Sequence, residues 1–201
     1  MIKAIIFDFD GVIEDNYELH YTMSKKQIIN ITREEHKKLF DGNIHLEREK
    51  LKHRDTGFDL PAHFSNAKKD MKIKKEIKGV LVKLSKDYLL GIITSAKEYG
   101  INDYLEANQI KELFSFVYGY ETDKIKVQKF KKVLNEFNLK TEECLFVTDT
   151  LGDILEANKA GIKTIAVDFG YHEKERLKRG NPLKIISNIN ELVPAIKSIS
   201  K

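Results

Sequence analysis

Near the start of the chain a short apolar run, Ile5-Ile6-Phe7, stops at the sequence Asp8-Phe9-Asp10-Gly11. An apolar run of this length reads as a buried strand, and alternate residues of a strand share a face. Asp8 and Asp10 are therefore delivered together to the edge of a sheet, where Gly11 is free to take positive φ and turn the backbone. Two carboxylates about 4 Å apart repel by about 4 kcal/mol at an effective dielectric near 20. A strand end covered by the rest of a fold needs a cation to offset that repulsion, and this demand constrains the chain more than any other feature of its sequence.

The 201 residues suffice for one substantial core carrying a smaller insertion. With 41% hydrophobic and 33% charged residues, the composition is that of a globular protein and not of a disordered one. The one cysteine, Cys144, lies in the apolar run Cys144-Leu145-Phe146-Val147; this excludes an internal disulfide, suits a reducing cytoplasm and reads as a buried structural thiol. No run approaches the roughly 18 apolar residues of a membrane span, and no signal-like segment precedes the first strand, so a cytoplasmic location and no membrane partner are expected. A net charge of +4, without a concentrated basic face, gives no support for nucleic-acid binding. The sequence carries no signal for an oligomeric state.

Further short apolar runs occur at residues 89–93, 116–118, 145–147, 164–167 and 184–186. Helical spacing lies between the later ones, as in Phe130, Val133, Leu134 and Phe137, and in Ile154, Ala157 and Ala160 before Gly161. Strands alternating with helices predict an α/β fold, a doubly wound parallel sheet with helices on both faces. Residues 15–86 contain no convincing strand. Leu19, Met23, Ile28 and Leu39, with a capping box from Thr32 to Glu35, read as helices joined by Gly42, Gly57 and Pro61. The expected division is a core of 1–14 and 87–201 with a helical insertion over 15–86, placed to cover the first strand's end. The lysines between Lys68 and Lys78 read as a solvated helix face.

In such a sheet the carboxyl ends of the strands form the rim where ligands bind. Thr94-Ser95 follow one strand, Thr148-Asp149 follow another, and Lys124-Ile125-Lys126 precede a helix, so the rim gathers Asp8, Asp10, Thr94, a lysine, Asp149 and Asp153. These residues suit a phosphate ester and Mg2+, which takes one or two carboxylates together with phosphate oxygens and water; Asp8 and Asp149 fit that role. A carboxylate attacks phosphorus only when the ester's charge is offset, here by the metal and the lysine. Thr94 and backbone N–H groups near Gly11 and Ser95 are phosphate donors, and Asp10 remains for general acid and base work.

Taken together, these motifs resemble the haloacid dehalogenase superfamily of Asp-nucleophile phosphatases over nearly the whole chain. The strand followed by Asp8-Phe9-Asp10-Gly11 is similar to its first motif, Ile92-Ile93-Thr94 to its second, and Thr148-Asp149-Thr150-Leu151-Gly152-Asp153 to its fourth, with Thr148 standing where glycine is usual. The resemblance implies a Rossmann-like core and, from the insertion, the helical cap of the phosphoglycolate phosphatase-like branch. It further implies that Asp8 is the nucleophile, that Asp10 is the acid/base and lends its carbonyl to Mg2+, and that Asp149 binds the metal with Asp153 in support. The third-motif lysine is Lys126 by its distance to Asp149, or Lys124 by the spacing of relatives with Lys-Pro. Within the cap, His45, Arg48, His53 and Arg54 are candidates for substrate selection, although each also reads as exposed helix decoration.

The expected activity is Mg2+-dependent hydrolysis of a small cytosolic phosphomonoester through an aspartyl-phosphate. A phosphomutase would use the same chemistry. A phospho-accepting receiver domain fits less well, because there the phosphorylated aspartate follows on a later strand and no large insertion intervenes. Asp15 and Asn16 read equally well as part of the site or as a helix N-cap, and residues 170–192, including Tyr171-His172, need carry no chemistry.

Overall fold

In the computed structural model, which describes residues 1–199, six parallel strands form one sheet. In chain order these are β1 (Ala4–Phe7), β2 (Leu89–Ile93), β3 (Phe116–Tyr118), β4 (Cys144–Thr148), β5 (Lys163–Val167) and β6 (Lys184–Ile186). Their spatial order is β3-β2-β1-β4-β5-β6, so the first strand lies in the middle of the sheet and the winding reverses beside it. Phe7 is level with Ile92 on one side and Val147 on the other. That register places Asp8 between the ends of β2 and β4, at the switch point where open α/β sheets bind ligands.

Alternation along β1 sends Ile5 and Phe7 to one face, and Ala4 and Ile6 to the other. The first face is covered by α5 (Lys75–Leu84), α6 (Glu98–Ala107) and α10 (Leu192–Ile199), which bury Leu81, Tyr104 and Ile196 among others. The second is covered by α7 (Lys126–Glu136) and α8 (Leu151–Lys159), through Phe130, Val133 and Ala157. Cys144 is buried there, and burial pushes its thiol up to about 11. The short α9 (Lys174–Lys178) adds Leu177 beside Ile154 and Ala166.

The segment between β1 and β2 is helical, as expected: α1 (Tyr17–Gln27), α2 (Arg33–Lys38), α3 (Ile44–Glu49), a 3-10 turn over Lys52–Arg54, and α4 (Leu60–Lys68). Ile28, Ile31, Leu39 and Ile44 form a small separate core, and the Thr32–Glu35 capping box opens α2. Two details depart from the sequence reading. The face of α1 that is fully buried carries His20 and Ser24, whereas Leu19 and Met23 are only half-buried. And α5, counted with the insertion as far as residue 86, places Ile77, Val80, Leu81 and Leu84 in the cluster that packs on the sheet.

Candidate active site

Asp8 leaves β1 hydrogen-bonded through its amide to the Val147 carbonyl (2.8 Å), with its own carboxylate accepting from the Phe9 amide (2.8 Å). Gly11 turns the chain at φ 80°, and a Cβ there would fall 1.9 Å from Asp149 Oδ2, so only glycine lets the first loop lie against the end of β4. The Asp149 carboxylate is buried. Its Oδ2 accepts the Tyr171 amide at 2.6 Å, whereas Oδ1 is buried with no hydrogen-bond partner among the described residues.

Lys126, at the start of α7, is the lysine that reaches the centre. Its ammonium is buried 3.1 Å from Asp8 Oδ1 and 2.6 Å from Asp153 Oδ2. Lys124 is exposed at the rim of the same cavity; its carbonyl accepts a hydrogen bond from Asn43 and its ammonium lies over the Tyr120 ring. Asp153 Oδ2 also accepts from the Thr148 hydroxyl at 2.8 Å. The side chain at the usual glycine position therefore points to the supporting carboxylate.

Electrostatics follow this geometry. Burial raises the Asp8 carboxyl well above the ordinary range, opposed by the Lys126 ammonium and reinforced by Asp153 and Asp149. Burial also lifts Asp149, to about 8. For Asp153, burial acts in the same direction but is outweighed by Lys126 and hydrogen bonds, leaving the group below its ordinary value. Lys126 pays a similar desolvation cost, yet Asp153 and Asp8 keep it firmly protonated. Two raised carboxyls and an orphaned oxygen form an arrangement that a cation would relieve. Among the described residues no three His, Cys, Asp or Glu side chains gather into a metal-binding group. Mg2+ needs only one or two carboxylates beside a carbonyl, phosphate oxygens and water, and the Asp8 and Asp149 carboxylates with the Asp10 carbonyl are a donor set of that kind.

Above these groups lies a cavity of about 480 Å³ between the sheet end and the helical insertion. Asp8, Asp10, Thr94, Ser95, Lys126 and Asp153 line its core side. The Thr94 hydroxyl oxygen accepts from the Ala96 amide at 3.1 Å, which leaves its proton free to donate. His45, Arg48 and Gln27 line the opposite wall, where His45 Nε2, Arg48 Nε and Gln27 Oε1 are buried without hydrogen-bond partners among the described residues. Among the described residues Arg48 hydrogen-bonds His20 Nε2, at 3.1 Å, and burial lowers its guanidinium to about 10. The other two cap candidates are elsewhere. Arg54 pairs with Glu35 (2.8 Å) and the Ile29 carbonyl, and His53 is exposed on the 3-10 turn.

Residues 5–167 match the family model for haloacid dehalogenase-like hydrolases. The chain belongs to that family. It is 35% identical to a phosphoglycolate phosphatase of Photorhabdus laumondii over 127 residues, 60% of this chain but only 53% of that protein. It is 27% identical to a putative pyrophosphatase of Caldanaerobacter subterraneus over 98% of this chain and 95% of that one. The chain thus spans about half the length of the phosphoglycolate phosphatase and nearly all of the pyrophosphatase. A haloacid dehalogenase-like family protein from Streptococcus pneumoniae superposes with a TM-score of 0.78 over 97% of this chain and 98% of that one, at 20% identity, a likeness of fold alone. The family match sets the chain among the haloacid dehalogenase-like hydrolases, and a phosphoglycolate phosphatase is one of the proteins it is similar to.

Several residues around this haloacid dehalogenase-type site were read otherwise from the sequence or left undecided. Lys68, read as part of a solvated face, is fully buried and pairs with Asp10. Asn16 occupies the N-cap position of α1 without capping it; its amide donates to Asp10 Oδ1 (2.6 Å) and its oxygen accepts from the Tyr171 hydroxyl (3.0 Å). His172 accepts from the Leu151 amide at 3.0 Å, and its other nitrogen lies 2.9 Å from the Lys37 carbonyl, joining α8 to α2. A second tie comes from Gly152, whose amide donates to the Phe40 carbonyl at 2.8 Å; a Cβ there would lie 2.2 Å from the Gly42 carbonyl oxygen. The recognisable signals were glycines: Gly11 and Gly170 both press against Asp149 where no side chain fits.

Proposed function

We propose that the protein is a Mg2+-dependent phosphomonoester hydrolase of a small phosphorylated metabolite, working through an aspartyl-phosphate on Asp8 in the cytoplasm. The observation that carries this reading is the buried Asp8 carboxylate at the switch point, 3.1 Å from the Lys126 ammonium and sharing its cavity with Asp10 and Thr94. Mg2+, held by the Asp8 and Asp149 carboxylates and the Asp10 carbonyl, would supply positive charge against the phosphate and relieve the repulsion between the two acids.

The remaining work falls to side chains. Asp8 attacks phosphorus, and the ester's P–O bond breaks. Lys126 and the Thr94 hydroxyl, with backbone amides of the Gly11 and Ser95 loops, bind the phosphoryl oxygens as charge builds on them. Asp10 gives its proton to the departing alkoxide, then takes one from a water that attacks the aspartyl-phosphate, returning Asp8 as a carboxylate and releasing inorganic phosphate. Asp153 and Thr148 position Lys126. The helical insertion, whose C-terminal limit we set before α5 because that helix packs on the sheet, acts as the cap. There the unpartnered groups of Arg48, His45 and Gln27 are left to recognise the leaving group, since a buried polar atom without a partner is costly unless a ligand satisfies it.

Purified protein should hydrolyse p-nitrophenyl phosphate with Mg2+, lose that activity in EDTA, and form an acid-stable phosphoryl adduct that Asp8→Asn abolishes. Activity surviving that substitution would remove the nucleophile assignment. Isomerisation of a sugar phosphate without phosphate release would make the chain a mutase instead.

A further inference from the structure

Asp10 must present a proton to the leaving oxygen on one side while its backbone stays fixed beside Asp8. Its carboxylate is gripped from behind. Asn16 Nδ2 and the Lys68 ammonium both donate to Oδ1. No hydrogen bond to Oδ2 is made among the described residues, and Asp10 lines the cavity. The grip is itself supported: the Tyr171 hydroxyl donates to Asn16 Oδ1. Lys68 reaches Asp10 from the last turn of α4, fully buried, with its ammonium 3.8 Å from the centroid of the Phe64 ring and 5.0 Å from that of Phe9. Its only carboxylate partner among the described residues is Asp10. Neither Lys68 nor Asn16 lines the cavity. The helix that carries Lys68 is seated on α6, where a Cβ on Gly100 would come 2.7 Å from Ser65 Cβ.

We propose that Lys68 and Asn16 are positioning residues for general acid catalysis, a clamp on Oδ1 of Asp10 that turns Oδ2 toward the leaving oxygen. This rests on the hydrolase reading above and adds to it a function for the cap: a lysine brought in by α4 completes the acid. A buried ammonium is strongly unfavourable unless paired, so its placement against Asp10 fixes both the rotamer of that carboxyl and the docking of α4. The ammonium also stabilises the carboxylate that Asp10 becomes when its proton passes to the alkoxide. In that step the P–O bond breaks toward the leaving oxygen, the Asp10 O–H bond breaks toward Asp10, and the alcohol departs neutral.

A clamp of this kind matters only where the leaving group needs a proton. The test is kcat/KM, which reports the steps through leaving-group departure, for p-nitrophenyl, phenyl and ethyl phosphate with wild type, Lys68→Met, Asn16→Ala and, as reference, Asp10→Asn. For Lys68→Met we expect a loss on the order of 10²-fold with ethyl phosphate and less than about 3-fold with p-nitrophenyl phosphate, matching the direction of Asp10→Asn. Asn16→Ala should show the same gradient with a smaller amplitude. A uniform loss across the three esters, or wild-type kinetics in both variants, would overturn the clamp. Should Lys68→Met fail to fold, as thermal denaturation would reveal, the gradient in Asn16→Ala decides alone. The outcome is separable from the hydrolase assignment, because Asp8→Asn tests that assignment without involving Lys68 or Asn16.

Discussion

At the residue scale, the chemistry depends on positions where almost nothing else fits. Gly11→Ala would place a methyl on the Asp149 carboxylate and force a side chain into positive φ. We expect at least about 10²-fold loss of kcat/KM from a protein that still folds, measured beside its circular dichroism spectrum. Lys126→Met should lose on the order of 10³-fold, because the developing charge on phosphate and the Asp8–Asp153 pair would both lack their cation. Near-wild-type turnover in that variant would transfer the phosphate-binding role to another lysine. The residues legible in the sequence, Asp8, Asp10, Thr94, Lys126, Asp149 and Asp153, are those placed by strand ends and first helical turns, where local pattern fixes position. Lys68 and Tyr171 were opaque, and Asn16 stayed undecided between site and N-cap, because each owes its place to a contact between distant segments; Asn16 and Tyr171 are 155 positions apart. Charge alone misled in both directions, since Lys68 is buried and Arg54 merely braces Glu35.

At the element scale, α1 and α2 face each other through His20 and His36, whose ring nitrogens lie 2.8 Å apart among Tyr17, Phe40 and Tyr171. Burial holds both below their ordinary value, His36 at about 3, helped by the nearby Arg48 cation. A histidine depressed in the folded state is stabilising while neutral. That contribution is complete above about pH 6.5 and is lost progressively as pH falls toward 3, by about 1.4 kcal/mol per pH unit for each histidine that remains neutral in the fold. Thermal melts between pH 7 and 4 should show Tm falling, and His36→Leu should flatten the slope; an unchanged slope would mean that the pair is already solvated. Helix α5 offers a second check. Its apolar face packs with the sheet, so its amides should exchange with deuterium as slowly as those of α6, and more slowly than those of α2 and α3. The sequence reading counted α5 within the helical insertion, because an amphipathic face does not say which partner covers it.

For the whole molecule, the sheet was readable because its strands are short apolar runs, whereas their spatial order, with β1 in the middle, was not read from the sequence. The arrangement of the helical insertion on that sheet was not readable, since it depends on backbone and side-chain ties such as Gly152–Phe40 and His172–Lys37. The sheet end gathers acids with raised carboxyls, so a divalent cation should stabilise the entire fold. At a Mg2+ concentration of 100 times Kd the gain is about 2.7 kcal/mol, which for a chain of this size raises Tm by about 5–10 °C. EDTA should reverse the rise and Asp149→Ala should abolish it; equal melts with and without Mg2+ would argue against the Asp8–Asp149 site.

The contact at Gly152 also makes a statement about ancestry. Its amide and missing side chain fit against carbonyls of residues 40 and 42, more than a hundred positions earlier. The two segments are free to drift only together. In descendants of the same gene, any branch that gains a side chain at position 152 should also show a length change or a displaced turn in the 40–42 loop, and branches keeping one should keep the other.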